Sequence, residues 1–283
     1  MRLANQRQLL ATVLFWLLIW VSLPAAAFAE PDLTTLAKEE QNPISTTMQL
    51  GFKYFSYSGA GIHGDENPGL LNFYLSLPNK LNDNWNLITQ ANMPFLSWQY
   101  GSQRYSGAGN LQLQMYFSPR KSKTIWGVGP AFQLPTAANP VFDNGQFAAG
   151  PVFALVNSHG RWVNAIQGSH LWKMGGSNDK PAVNTSNIQT AINYNFKSGW
   201  ALSLSAGISV DWAIQQGERS LVPIGLALSH TKVPLRGGHP MTWSIGISYN
   251  LIRPDSSPRM QYRFQITHIF PQRTADTVRR HKG

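Results

Sequence analysis

Polar and apolar residues alternate with a period of two along most of this chain. In WALSLSAGISVDW, Trp200, Leu202, Leu204, Ala206, Ile208, Val210 and Trp212 share one parity, and Ala201, Ser203, Ser205, Gly207, Ser209 and Asp211 share the other. A strand sends successive side chains to opposite faces, so the segment has one apolar face and one face of small and polar groups. MTWSIGISYNL repeats the pattern, as do GNLQLQMYF and MQYRFQITHIF. About twelve such segments lie near 48–57, 69–78, 85–94, 108–118, 124–134, 146–157, 161–172, 184–196, 200–212, 219–231, 240–252 and 258–270.

Their length narrows the fold class. They run about 10 to 13 residues, whereas strands of soluble domains usually hold 5 to 6. A tilted strand crosses a bilayer in roughly 9 to 11. The connections give a second indication, because NKLNDN, SPRKSK, NSHG and NFKSG are short, and SGAGIHGDENPG, SWQYGSQRYSG, PTAANPVFDNG and KMGGSNDKPA are long. Short and long alternate over most of the chain, with the long TKVPLRGGHP and the short RPDSS as exceptions, as the periplasmic turns and external loops of outer-membrane barrels do. The pattern predicts an all-β fold, a single transmembrane antiparallel β-barrel of about 12 strands with both termini in the periplasm.

Aromatic placement agrees. Trp85, Trp126, Trp162, Trp200 and Trp243 open alternate segments, and Phe117, Phe196 and Phe270 close the others. In an up-and-down barrel all eight lie at one level, the girdle expected where hydrocarbon meets headgroups. Tyr100, Phe132, Trp172, Trp212 and Tyr249 would form a second belt at the other level.

Composition then bounds the compartment. Arg2 and Arg7 precede an apolar run from Leu9 to Leu23, and Pro24 leads to Ala27-Phe28-Ala29. That is the pattern of a signal peptide, predicted to span 1–29 and to be cleaved before Glu30. Residues 30–45 follow as a leader, 46–270 as the barrel and 271–283 as a basic periplasmic tail. The chain holds no cysteine, so an exported form has no disulfide framework and no thiolate chemistry. The net charge is +10, which falls to +8 without the signal. With no clustered basic helix, anionic lipid suits this charge better than nucleic acid does. The predicted partners are outer-membrane lipids, small-molecule solutes and, during insertion, the barrel-assembly machinery of a Gram-negative cell.

Several stretches carry a family likeness. LAKEEQNPIS from Leu36, NDNWNLITQANMPFL, SPRKSKTIWGVGPAFQLPTA, NYNFKSGW and NLIRPDSSPRMQYRFQI resemble the bacterial outer-membrane β-barrel transporters linked to meta-pathway phenol degradation, also labelled transporter or neuromedin U. The likeness spans Leu36 to Phe270, with IWGVGP and LIRPD the most distinctive pieces. It implies a barrel with a transport role, aromatic compounds being among the solutes it suggests.

On the register of these strands the inward faces include Asn72, Tyr74, Asn86, Gln90, Asn92 and Asn110. The selectivity candidates among inward residues are Asp211, Arg263, Gln265, Gln112, Gln114, Gln189, Asn193 and Asn250. Neutral amides suit a wet lumen that passes small polar solutes without holding them tightly. The leader, with Leu33, Leu36 and Ala37 on one side of a short helix, is read either as a plug for the lumen or as a loose segment. Two rival functions stand beside the channel: a phospholipase or deacylase, and a closed barrel that binds partners through its long loops. Lipid hydrolysis needs histidine beside serine. The pairs Ser158-His159 and Ser169-His170 are adjacent on strands and so point to opposite faces, which leaves only a serine from a neighbouring strand. His63, Asp65 and Glu66 share one Gly-rich loop, a weak metal pattern. No catalytic residue, metal or cofactor is assigned.

Overall fold

The computed structural model describes residues 32–270, apart from 101–102, 123, 144, 235–237 and the side chain of Tyr100. The predicted signal peptide and the tail after Phe270 lie outside the described residues. Among the described residues one α-helix, α1 (Leu33–Gln41), precedes thirteen strands. These are β1 (Met48–Ser58), β2 (Gly69–Lys80), β3 (Trp85–Tyr100), β4 (Gln103–Ala108), β5 (Leu111–Pro119), β6 (Ile125–Leu134) and β7 (Gln146–His159). There follow β8 (Trp162–Gly176), β9 (Asn184–Asn195), β10 (Trp200–Asp211), β11 (Ser220–Lys232), β12 (Met241–Ile252) and β13 (Met260–Phe270).

All pair antiparallel in one sheet, and β1 pairs with β13 along its whole length, from Met48↔Phe270 to Ser58↔Met260. The twelve-strand ring therefore has no free lateral edge, and the short β4 alone keeps an unpaired side; closure removes the row of unpaired backbone groups that an open sheet presents. Twelve strands close the ring, and β4 is the extra one. It pairs with the far half of β3, from Phe95↔Ala108 to Tyr100↔Gln103, while β5 pairs with the near half, from Trp85↔Pro119 to Asn92↔Gln112. Between them the amide of Gly109 donates to the carbonyl of Pro94 at 2.8 Å. β4 and β5 thus form one wall strand broken by an irregular step.

SWQYGSQRYSG is here corrected from a loop to a projecting hairpin. Gly101, Ser106, Gly107 and Gly109 depress strand propensity, yet Trp98↔Tyr105 and Gln99↔Arg104 extend the ladder. A second irregularity falls between Val222 and Pro223, where proline has no amide to give the ladder.

The two faces of the wall differ as the alternation predicts. Leu202, Leu204, Ile208, Leu226, Ile245 and Phe264 are exposed, between 39% and 52%, whereas Ala201, Thr231, Thr242, Thr267 and Asn195 on the opposite parity are at 0 or 1%. The exposed parity points away from the ring and the buried parity into it.

α1 begins at Asp32, whose carboxylate accepts from the amides of Thr34 and Thr35 at 3.1 and 3.2 Å, the usual satisfaction of a helix start. It ends at Asn42 because Pro43 brings no amide. The helix and the turn after it touch inward side chains from widely separated strands. Gln41 and Asn195 of β9 exchange amide hydrogen bonds at 2.9 and 3.0 Å, Gln265 of β13 donates to Glu40 at 2.8 Å, and Gln49 of β1 donates to the Glu39 carbonyl at 2.8 Å. Gln90 of β3 donates to the carbonyl of Pro43. A single segment reaches the inner faces of β1, β3, β9 and β13 only from within the ring. Residues 33–45 therefore occupy the lumen at the end where Met48 and Phe270 lie.

Candidate functional site

Two different surfaces hold the leader. On one side Ile44, 2% exposed, packs among Ile88, Tyr116, Ala131, Val152, Ala154, Val156 and Val163, all pointing inward. The lumen lining was expected to be mostly amide and hydroxyl, and this apolar half is a correction. In QFAAGPVFALV both parities are apolar, so alternation cannot say which residues turn inward. Burying Ile44 contributes on the order of 1.5–3 kcal/mol relative to its exposure to water.

On the other side the contacts are polar. Glu40 accepts from Gln265 at 2.8 Å and from the Thr267 hydroxyl at 3.3 Å, and Tyr74 also hydrogen-bonds to Thr267. Lys53 sits with its ammonium 4.7 Å from the centre of the Tyr74 ring. Gly51, the partner of Tyr74 across β1 and β2, admits that ring: a Cβ there would stand 2.9 Å from it and 2.3 Å from the Ile266 carbonyl. Removal from water pushes the Glu40 carboxyl above its ordinary range, against the pull of Lys53 and Arg263 and the hydrogen bonds from Thr267 and Gln265.

The selectivity candidates are not gathered at one point. Arg263 and Gln265 share the Glu40 neighbourhood, which α1 completes. Gln112 lines a cavity of about 400 Å³ on the far side of the lumen, with Leu70, Leu96, Phe142 and Lys180. Gln114 accepts from the Tyr116 hydroxyl at 2.9 Å, and Gln189 accepts from Gln167 at 3.3 Å. Asn193 is buried, donating to the Val163 carbonyl at 3.0 Å and accepting from Ser203. Asn250 donates to the Pro258 carbonyl at 2.7 Å. Asp211 accepts from the Ala213 amide at 3.0 Å and so caps the turn after β10. Lys53 and Glu40 belong to the charged group that the strand pattern did not single out. Lys53 lies in a segment, FKYFSYS, whose alternation is weak.

The aromatic residues at strand ends do meet. Trp85 packs edge-on to Trp126 at 6.0 Å, Trp200 to Trp243 at 5.5 Å, Trp162 to Tyr194 at 4.8 Å, and Tyr194 to Phe196 at 5.0 Å. Phe270 lies 4.5 Å from His239, and Phe117 is exposed on the same outer face.

On the outer face at the far end, His170 and Ser186 stand opposite each other on β8 and β9, with Nδ1 and Oγ 2.7 Å apart. Ser169 points inward instead, and a serine from the neighbouring strand is the one that reaches the histidine. The indole of Trp212 donates to Ser186 at 2.8 Å. The neighbouring backbone is paired in the β8–β9 and β9–β10 ladders, so it offers no obvious pair of free amides to a developing oxyanion. In the loop after β1, Glu66 accepts from the Trp98 indole at 2.7 Å.

These features define a closed antiparallel barrel with an apolar outer band and a lumen partly filled by its own leader. No protein-family profile matches the chain, and no curated protein matches it. Among solved structures it is similar to an outer-membrane channel from Pseudomonas putida F1, with a TM-score of 0.64 and 14% identity over 81% of this chain and 96% of that one. The NanC porin follows at a TM-score of 0.49, with 13% identity over 80% and 100% of the two chains. For the KdgM porin the values are 0.47, 9%, 79% and 99%. At such identities the likeness concerns the fold.

Proposed function

We propose that the chain is an outer-membrane channel for small solutes, with the leader acting as a plug at the periplasmic mouth. The observation that carries this reading is the reversal of polarity across the wall. Apolar side chains are exposed outward along strands long enough to cross a bilayer, and the polar groups turn in. A contiguous apolar exterior of this extent is a membrane or partner surface rather than a water-facing one. The aromatic ring at the strand ends then lies at the inner headgroups, and both termini are periplasmic.

The plug reading rests on the kind of contacts α1 makes. Side-chain amides, a carboxylate and three buried apolar side chains, Leu36, Ala37 and Ile44, hold it, while the wall is held by backbone ladders. The leader can therefore leave with the barrel intact. By family resemblance the solutes include aromatic compounds, and the 400 Å³ cavity, with Leu70, Leu96 and Phe142 beside Gln112, has the mixed lining that such molecules need. Export through a cleaved signal peptide, insertion by the barrel-assembly machinery and contact of the basic tail with anionic headgroups belong to the same reading.

The test is reconstitution of the signal-free chain in planar bilayers and liposomes. Ionic current and flux of small solutes are expected. A protein that is folded by heat-modifiable migration, yet shows neither current nor flux, would sink the channel reading and favour the closed, partner-binding barrel.

A further inference from the structure

The charges of the wall are one-sided. Every acidic residue in the strands is absent except Asp211, the last residue of β10, whereas Lys53 and Arg263 stand in the middle of β1 and β13 and point into the ring. Lys53 is opposite Gln265, and Arg263 lies two positions further along the same strand. Arg263 extends across β12 at Gly246, where a Cβ would stand 3.5 Å from Nε.

Neither cation has an anionic partner in contact. Among the described residues the ion pair closer than 4.0 Å is Lys80–Asp83, at a turn, and the buried Nε of Arg263 finds no acceptor. Lys53 rests over the Tyr74 ring. Leaving buried donors without acceptors is costly, and leaving charges so is costlier. The carboxylate whose field reaches both is Glu40, which is carried by the leader and hydrogen-bonded by Gln265 and Thr267. It is the acidic side chain that acts on both cations, and it departs if the leader does.

We propose that Lys53 and Arg263, with the donors of Gln265 and Thr267 beside them, form a binding site for small carboxylates, for which Glu40 is a tethered competitor. The chemistry matches the ligand: an amide N–H and a hydroxyl meet at the place where the chain already sets a carboxyl of its own, and a guanidinium and an ammonium act on that place electrostatically. With the leader docked, Glu40 occupies the place of a second carboxylate and takes two of the donors. With the leader out, two cations line the lumen with no carboxylate near them, so the lumen selects anions, and a bound anion in turn resists redocking of Glu40. Access by solutes from outside rests on the channel reading. Binding itself does not.

The site is tested by ¹⁹F NMR of trifluoroacetate added to the folded, signal-free protein in detergent, at constant chloride, with trifluoroethanol as the neutral control. Line broadening of trifluoroacetate, but not of the alcohol, is expected for the native chain. Glu40→Gln should raise the apparent affinity by about tenfold, the effect of removing a competing charge of this kind. The Lys53→Gln/Arg263→Gln double variant removes unpaired charges and so should fold, and it should lose the broadening. Equal broadening in the double variant would overturn the site, and no change on Glu40→Gln would overturn the competition. A protein that binds trifluoroacetate but conducts nothing refutes the channel while keeping the site.

Discussion

Ile44→Ala removes one of the leader's buried apolar contacts, beside Leu36 and Ala37, without touching a wall strand. Ile44 is 2% exposed and packs on Ile88, Tyr116 and Val163, so its truncation leaves a cavity between leader and wall. Truncations of this kind cost about 2–5 kcal/mol. Because the residue precedes β1 and takes no part in the ladders, the loss falls on docking of the leader. At about 3 kcal/mol the ratio of docked to free leader drops by roughly a hundredfold, since about 1.4 kcal/mol is tenfold. Single-channel recording reads this as a larger fraction of time in the conducting state, and limited proteolysis reads it as faster cleavage near residues 33–45. Ile88→Ala removes the wall partner and should act in the same direction, with the double variant less than additive. An unchanged conducting fraction in Ile44→Ala, with wild-type heat-modifiability, would refute the reasoning.

Three other outcomes follow from the same contacts. Removal from water raises the docked Glu40 carboxyl above the ordinary glutamate value, so the docked leader binds its proton more tightly than the free one. Docking is then strongest below that value and weakens as pH rises through the docked pKa; the conducting fraction should rise over that window, and Glu40→Gln, which leaves Lys53, Arg263 and Tyr74 facing an amide, should abolish the trend. Gly51→Val forces a Cβ to within 2.3 Å of the Ile266 carbonyl and against Tyr74, and should lower barrel stability by at least about 1–3 kcal/mol, seen as a lower temperature of the heat-modifiable transition. Ser186 accepts from Trp212 and has no obvious oxyanion donors beside it, so purified protein should show no Ser186-dependent lipid hydrolysis; activity lost on Ser186→Ala would restore the lipase reading.

The strands were legible because a wall with an exposed apolar face on one side and small polar groups on the other writes its period directly into the sequence. WALSLSAGISVDW and MTWSIGISYNL fall on β10 and β12 nearly residue for residue. Ring closure was also implied, since the aromatic residues at strand ends make sense at one level only if the ends are level. The hairpin of β3 and β4 was hidden by its glycines and serines, whose turn preference the extended ladder overrides. The His170–Ser186 pair needs the register of β8 on β9, which no single strand carries.

The lumen was least legible. Arg263 and Gln265 were read as inward from the alternation of MQYRFQITHIF, but their relation to Glu40 spans more than two hundred residues and arises from where α1 docks. The apolar half around Ile44 was missed for a different reason: Val152, Val156 and Val163 lie among residues apolar on both faces, and Ile44 follows Pro43 in a segment with no periodicity at all. Gln114, Gln189, Asn193 and Asn250 do not form a cluster: each hydrogen-bonds to a neighbouring side chain or to the backbone. Side-chain direction followed from the period, and partnership did not.

The central claim, that the leader closes a conducting barrel, is tested most directly by fastening it in place. The chain has no cysteine, so Gln41→Cys and Asn195→Cys, which replace the pair of reciprocal hydrogen bonds, introduce two unique thiols. Bridging them with a short bis-methanethiosulfonate reagent should abolish single-channel current, and reductant should restore it in the same bilayer. Current of equal size before and after reduction would contradict the account.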